Sequence, residues 1–247
     1  MSIDQSSIPK LDWRYRVVTT IIKDAKLPSG KIAKAGSSAS VTTVIKHGRK
    51  TLSIGDPSAT ALYLSQSHKS YTQAIQNHPF VNELPATEEN ELSARVYDYL
   101  ECIMTSVLFA FSSLEAFANE EIPEDLIHEA QRRQSGIHVA YQKHSVERYV
   151  SLDEKLSIIL PKAKGKPSPK GLNVWTEFVI LRRLRDRLVH LKSLDRAHSK
   201  ADNLYPKSIW SELLAPNQPN FPLIVKNMML HFFDENNSHH WLRNCPF

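Results

Sequence analysis

Arg185, Asp186 and His190 form the group of side chains in this chain best suited to chemistry on a phosphate. An arginine presents a planar fork that matches two phosphate oxygens and keeps its charge at physiological pH. A histidine gives or takes a proton near neutral pH. Their spacing, Arg-Asp-x3-His, is weak evidence by itself, since an arginine and a histidine at one fixed spacing are expected about 0.6 times by chance here. The same spacing recurs at Arg133 and His138, around Gly136 and without a leucine ladder.

The motif lies in LRRLRDRLVHLKS, residues 181–193, where leucines recur every three or four residues. This period predicts a helix with one core face. At about 100° per residue, Asp186 and His190 lie one turn apart, nearly opposite that face. The outward sector is also partly apolar, with Trp175, Val179 and Val189. We therefore expect burial on both sides, the second against another copy of the chain, with a composite site at the seam.

Glu115 and Asn119 are candidate supporting residues on a second predicted helix, residues 88–121. Glu115 falls at the edge of an apolar stripe, where a buried carboxylate requires a partner. It either pairs with Arg182 or Arg185 or reaches solvent by rotation of its side chain. Asn119, one turn further, either extends a hydrogen-bond network toward the site or caps the helix.

Lysines are concentrated in KAKGKPSPK, residues 162–170, just before the motif helix. Its glycine and prolines predict a connecting loop. Lys162, Lys164 and Lys166 are candidate contacts to an RNA backbone, since phosphate contacts supply much of the affinity for nucleic acid. The alternative is an ordinary solvated loop.

The segment RDRLVH at 185–190 resembles the signature of HEPN (higher eukaryotes and prokaryotes nucleotide-binding) domains, an arginine followed after a few residues by a histidine, late in a helical bundle. Further stretches similar to bacterial HEPN proteins are FSSLEAFANE (111–120), SLDEKLSIILP (151–161) and FPLIVKNMMLHFFDE followed by HHWL near the end. The resemblance covers roughly residues 88–247. It implies a mainly α, HEPN-like helical bundle that dimerises and forms a metal-independent ribonuclease site.

The side chains suggest how such a site cleaves RNA. Cleavage without a metal requires a base for the 2′-hydroxyl proton, an acid for the leaving oxygen and a cation for the developing charge. We assign the proton transfer to His190 and the cation to Arg185. Asp186 either orients the imidazole or forms a surface ion pair with Arg182 or Lys192.

The resemblance also predicts the biological setting. The leading expectation is an endoribonuclease homodimer acting on RNA, as a toxin or in antiviral defence, restrained by an antitoxin or another regulatory protein. The alternative is a non-catalytic HEPN-like dimer that binds a nucleotide or a protein.

Composition sets the outer bounds. The 247 residues are 41% hydrophobic, and the formal net charge of +5 permits nucleic-acid binding but is expected to be too dispersed for a polybasic tail. Cys102 and Cys245 have no metal-ligand spacing and suit a reducing cytoplasm. No secretory signal or membrane span is expected, and the apolar stretch 100–118 is interpreted as a core helix. No cofactor and no metal are expected, because the C-terminal histidines supply no closed ligand set and no glycine-rich phosphate loop occurs.

Residues 1–85 are predicted to form a separate N-terminal extension, with the HEPN-like bundle over 86–247. Beta-branched runs and the sequence VTTVIKHGRKTLSI predict a small β element with a hairpin near His47 and Gly48. Asp56, Pro57 and Ser58 then open a predicted helix that ends near Asn77.

Overall fold

The chain is mainly α-helical, with small antiparallel strand pairs, as its sequence predicts. The computed structural model describes residues 11–26, 30, 32–79, 89–131, 138–192, 195, 208–234 and 237–247. The described residues form two compact units, one from Met1–Leu62 with Asn237–Phe247 and one from Tyr63–Asn236. The predicted domain boundary at residue 85 lies outside the described residues and stays a prediction.

The described residues of the first unit include three antiparallel strand pairs. They are β1 (Val18–Thr20) with β4 (Ser38–Ser40), β2 (Ala25–Lys26) with β3 (Ile32–Ala33), and β5 (Thr42–His47) with β6 (Lys50–Gly55). The predicted hairpin is confirmed as β5–β6, with His47 opposite Lys50 and a two-residue turn between them. Gly48 in that turn has a φ of +59°, which glycine adopts without a steric cost.

Helix α1 (Ala59–Gln76) begins directly after the predicted opening residues Asp56, Pro57 and Ser58, and it ends one residue before the predicted Asn77. The hydroxyl of Ser58 accepts a hydrogen bond from the backbone N–H of Ala61 at 3.1 Å and so caps the first turn.

Helix α2 (Glu89–Glu120) is the central helix of the second unit and matches the predicted span 88–121 within a residue at each end. Over Glu91–Glu120 it is long and apolar enough to cross a membrane, with a mean hydropathy of 1.5 in its most apolar window. Core helices meet the same criteria. Ile103, Val107 and Leu114 are fully buried, so α2 supplies the core of the unit.

After α2 the chain forms a second hairpin, which the sequence analysis does not predict. Strand β7 (Ile127–Gln131) pairs with β8 (His138–Gln142), and α3 (Lys143–Tyr149) follows directly. His138, whose spacing from Arg133 copies that of the motif, therefore lies in a strand.

A helical segment with one irregular turn comes next. It consists of α4 (Leu152–Glu154), a π-helical turn (Lys155–Ile159) and α5 (Leu160–Lys164). Pro161 has no N–H and cannot donate to the backbone oxygen of Ser157, four residues earlier. The Ser157 oxygen instead accepts a hydrogen bond from the Ser168 hydroxyl at 2.8 Å. The helix ends at Gly165, in the left-handed region. The prediction that residues 162–170 form only a loop is therefore wrong at Lys162 and Lys164.

The first unit also contains the short helix α9 (His240–Arg243). The described helices that remain in the second unit are α6 (Asn173–Val189), α7 (Ile209–Leu213) and α8 (Phe221–Leu230). Helix α2 packs against all three, and α6 also packs against α7 and α8. The predicted core stripe of the motif helix is confirmed at Leu181, Leu184 and Leu188, which are buried.

Helix α8 ends at Leu230. The chain turns there, and the rings of Phe232 and Phe233 pack on Phe117 with centroids 6.1 and 6.0 Å away. Phe232 is buried, so the turn places an aromatic ring in the core of the second unit.

Candidate functional site

Arg185 lies at the edge of the core, where an aromatic ring and two carboxylates hold its guanidinium. The guanidinium carbon is 4.2 Å from the centroid of the Phe111 ring. Nη1 donates a hydrogen bond to Oδ1 of Asp186 at 2.9 Å, and Nη2 is 3.6 Å from Oε1 of Glu115. The side chain is still 28% exposed. The guanidinium is thus held in one place yet remains accessible to an anion.

The contact between Glu115 and Arg185 is one of the two alternatives left open by the sequence. The Glu115 side chain is nearly half exposed, so it pairs with the arginine and reaches solvent at once. Arg182, the other candidate partner, instead pairs with Asp153 of α4, and its guanidinium is 5.9 Å from the Phe178 ring centroid. Arg182 therefore ties α6 to α4.

Asn119 belongs to a network centred on Lys155, a residue that the sequence analysis did not single out. Lys155 is 6% exposed, and its Nζ donates to Oδ1 of Asn119 and to the backbone oxygen of Glu147, both at 2.8 Å. Burial lowers the pKa of the Lys155 ammonium, while the negative charges of Glu115 and Glu147 oppose that shift. Asn119 thus binds the ammonium of Lys155, which also feels the charge of Glu115, and a role of Asn119 in a network at the site stays a prediction.

The signal for Lys155 in the sequence was weak. It falls in SLDEKLSIILP between apolar residues, and Leu156 and Ile159 are indeed buried. A regular helix places neighbouring residues on different sides, whereas the wider π-turn brings Lys155 into the interior together with Leu156. The π-turn, which often occurs at functional sites, has no recognisable signature in a single sequence.

His190 occupies the end of α6, where it is exposed. The predicted helix over 181–193 is too long, because α6 ends at Val189 and His190 has φ −122° and ψ 59°. Its backbone N–H donates to the carbonyl of Asp186 at 3.0 Å. Within the described residues, the His190 imidazole has no hydrogen bond or ion pair, and the Asp186 carboxylate contacts Arg185, not His190.

The early end of α6 has a cause beyond the motif. Asp195, which is buried, pairs with Arg187 and accepts hydrogen bonds from the backbone N–H groups of Lys192 and Ile209, both at 3.3 Å. Arg187 also pairs with Glu212 of α7 at 2.5 Å. These contacts hold Asp195 near the start of α7, and a helix continued past Val189 would carry Asp195 away from it.

The outward face of α6 is only partly covered within one chain. Trp175 and Val179 are half-buried, and Val189 is 53% exposed. The Trp175 ring packs on Phe178 at 5.1 Å, with the Lys170 ammonium 5.6 Å from its centroid. A second copy covering this face stays a prediction.

Two of the three candidate RNA-binding lysines form ion pairs. Lys164 pairs with Glu121, and Lys166 pairs with Asp234. Lys162 is exposed and has no ion pair within the described residues. An RNA phosphate would therefore compete with a carboxylate at two of these positions.

The arrangement combines the anchored guanidinium of Arg185, the exposed imidazole of His190 at the end of the same helix, and the buried amine of Lys155. The side chain of Asn119 accepts a hydrogen bond from that amine, and the side chain of Glu115 contacts Arg185. Among the described residues, no group of three or more His, Cys, Asp or Glu side chains is placed to hold a metal ion. Such a site can bind an anion at Arg185 and transfer a proton at His190. No protein-family model, no curated protein and no solved structure matches the chain.

Proposed function

We propose that the protein is a metal-independent endoribonuclease of the HEPN type. It acts as a cytoplasmic homodimer in toxin activity or antiviral defence, under the control of an antitoxin or another regulatory protein. The observation that carries the proposal is the setting of Arg185. Phe111 anchors its guanidinium, which remains open to solvent, and the exposed His190 lies at the end of the same helix, α6.

The chemistry follows from these two side chains. A histidine removes the proton of the RNA 2′-hydroxyl, and the 2′-oxygen attacks the adjacent phosphorus. The bond from phosphorus to the 5′-oxygen breaks, and a second histidine protonates the departing oxygen. Arg185 stabilises the negative charge that develops on the phosphoryl oxygens. The products are a 2′,3′-cyclic phosphate and a free 5′-hydroxyl.

The single chain contributes one histidine to this motif, so the second proton transfer is assigned to His190 of the partner subunit. The incompletely covered outer face of α6, with Val189 at its C-terminal end, is the surface through which the two copies would meet. This placement would bring both copies of the motif to one composite site.

The carboxylates beside Arg185 are compatible with phosphate binding. Exposed ion pairs contribute about 0–1 kcal/mol, and the contact to Glu115 is long at 3.6 Å. A bidentate contact between an arginine and a phosphate is stronger than such a pair. An RNA phosphate can therefore displace Glu115 at small cost, while Phe111 keeps the guanidinium in place.

The test is digestion of a mixed RNA pool by the purified protein with a chelator present, with identification of the product ends. We expect 2′,3′-cyclic phosphate ends from the wild type and a rate about 10²–10⁴ lower for His190→Ala, the range for loss of a general acid or base. His144→Ala, which removes an exposed histidine of α3, is the matched control and should cleave normally. Arg185→Lys, which keeps the charge without the fork, should fall between wild type and Arg185→Ala.

The alternative function is a non-catalytic dimer that binds a nucleotide or a protein. The exposed apolar surface at the end of α6 favours it equally, because a binding module requires that surface but not the histidine. A folded dimer that leaves RNA intact, and that becomes a monomer on Val179→Glu, would support this alternative and overturn the ribonuclease proposal.

A further inference from the structure

Residues 11–56 carry a net positive charge as large as that of the whole chain. Residues 11–56 contain nine lysines and arginines but only three acidic residues, a net charge of +6, against +5 for the whole chain. Each of these acids is already neutralised, since Asp12, Asp24 and Asp56 pair with Arg14, Lys34 and Arg16. The charge left over in this segment is entirely positive.

The β5–β6 hairpin presents part of this excess at its tip. Lys46, His47, Arg49 and Lys50 are all exposed and lie within five consecutive residues. Within the described residues, none of the three permanent cations has an ion-pair partner. Because side chains alternate along a strand, Lys46 lies on one face of the ribbon, and Lys50, opposite His47, lies on the other.

Behind the tip the ribbon carries an apolar pair. Ile45 and Leu52 lie directly opposite each other, 43% and 60% exposed. Cross-strand pairs of this kind stiffen a two-stranded ribbon and hold its end in a defined shape. The tip is thus a structured presentation of charge on both faces.

Cations on both faces of a narrow ribbon match the phosphates that the two strands of an RNA helix present across its wide, shallow minor groove. Hairpins and segments that bind at a membrane interface typically use Trp and Tyr, and residues 41–55 contain no aromatic side chain. The absence of aromatic rings also indicates contact with the backbone in preference to stacking on bases.

We propose that the β5–β6 hairpin is a nucleic-acid-binding arm, in which Lys46, Arg49 and Lys50 contact the phosphate backbone of RNA. The choice of RNA rests on the proposed function, whereas the contact with phosphates rests on the hairpin alone. Phosphate contacts carry little sequence information, so the arm adds affinity without base specificity.

The test is binding of a fluorescently labelled RNA stem-loop, followed by anisotropy across a range of salt concentrations. All variants carry His190→Ala and the buffer contains a chelator, so that cleavage does not disturb the measurement. Each phosphate contact contributes about 0.7 to the slope of log affinity against log salt concentration. The triple variant Lys46→Gln, Arg49→Gln, Lys50→Gln removes three such contacts, so the magnitude of its slope should be lower by about 2. A fourfold rise in salt then weakens the intact hairpin about 20-fold more than the triple variant.

Two controls make the result specific. Lys69→Gln, Lys143→Gln, Arg148→Gln removes the same charge from the second unit and should leave the slope unchanged. Lys46→Arg, Arg49→Lys, Lys50→Arg keeps the charge on the hairpin and should bind like the parent. Circular dichroism shows whether each variant keeps its fold, and the charge-retaining variant identifies any effect of altering the hairpin itself.

An unchanged slope in a folded triple variant overturns the inference. It is also overturned if the triple variant loses binding to phosphatidylserine vesicles while binding RNA as before. The cleavage test is separate. Salt-dependent binding through the hairpin, without cleavage by the wild type, would support the nucleic-acid-binding arm and refute the ribonuclease proposal. Cleavage with an unchanged slope would support the ribonuclease proposal and refute the arm.

Discussion

Replacing the buried lysine of the π-turn by methionine should destabilise the second unit and change how its stability depends on pH. Methionine keeps most of the length and apolar volume of the side chain but removes the ammonium. The carboxamide oxygen of Asn119 and the backbone oxygen of Glu147 then lose their donor.

The magnitude follows from opposing contributions. A buried acceptor without a donor costs about 1–3 kcal/mol, whereas removal of the amine abolishes the cost of keeping a charge out of water. Asn119 is only half-buried and can turn toward solvent, so the full cost applies mainly to the Glu147 carbonyl. We expect a net loss of about 1–3 kcal/mol at neutral pH, or about 2–4 °C in Tm for each kcal/mol.

The pH dependence has a definite sign. The pKa of Lys155 is lower in the folded protein than its ordinary value of 10.5, so between those two values the unfolded chain binds more protons. Stability gained from this group therefore rises with pH across that window, by at most about 1.4 kcal/mol per pH unit, and is constant below it. Lys155→Met lacks this rise, so the deficit of the variant should grow as the pH rises through the window.

Urea unfolding, followed by circular dichroism at neutral pH and at several alkaline pH values, measures both effects. Other groups whose protonation changes in this range, such as Tyr99 in the unfolded chain, are common to both proteins and cancel in the difference. Lys69→Met, which replaces an exposed lysine of α1, is the matched control and should change neither quantity. Equal midpoints for Lys155→Met and wild type at every pH would refute the assignment of Lys155 as a buried, hydrogen-bonded amine.

Three further perturbations test other parts of the structure. Phe111→Leu keeps an apolar core residue but removes the ring beneath Arg185. This contact contributes about 0.5–1 kcal/mol, so kcat/KM for RNA should fall about two- to fivefold. An unchanged kcat/KM would show that the ring does not anchor the guanidinium. Gly55→Ala would place a Cβ inside the Tyr15 ring and should lower the stability of the first unit by about 1–3 kcal/mol in thermal melts, unless the ring has room to move. Asp195→Asn removes the stabilising contribution of the carboxylate. The hydrogen bond from Arg187 lowers the pKa of Asp195, so this contribution is present above about pH 4 and is lost in acid. The wild type should therefore lose more stability than the variant between about pH 5 and about pH 3. Parallel acid curves for the two proteins would contradict this last reasoning.

Local patterns predicted much of the fold. The leucine period identified the buried face of α6 at Leu181, Leu184 and Leu188, and the sequence around Gly48 identified the hairpin and its turn. These features depend on residues close together in the chain, where periodicity and turn chemistry are most informative. The pairing of Glu115 with Arg185 was also within reach, because a carboxylate beside an apolar stripe requires a partner.

Features fixed by distant partners could not be predicted in this way. The helix pattern continues through His190 to Leu191, and only the contacts of Asp195 with Arg187 and α7 show why α6 ends at Val189. Lys155 looks like a surface lysine in the sequence, because its partners Asn119 and Glu147 lie on other elements. The excess of positive charge in residues 11–56 was visible in the sequence, but the net charge of the whole chain does not reveal it.

The π-turn also makes the second unit sensitive to the length of its chain. A π-turn holds one residue more than the α-helical turn that it replaces, so deleting one residue from Lys155–Ile159 would allow a continuous α-helix through α4 and α5. The residues before the deletion would then rotate by about 100° relative to those after it. Such a deletion would turn Lys155 or its apolar neighbours out of the interior. Single-residue deletions in this turn should therefore be selected against more strongly than most substitutions at the same positions.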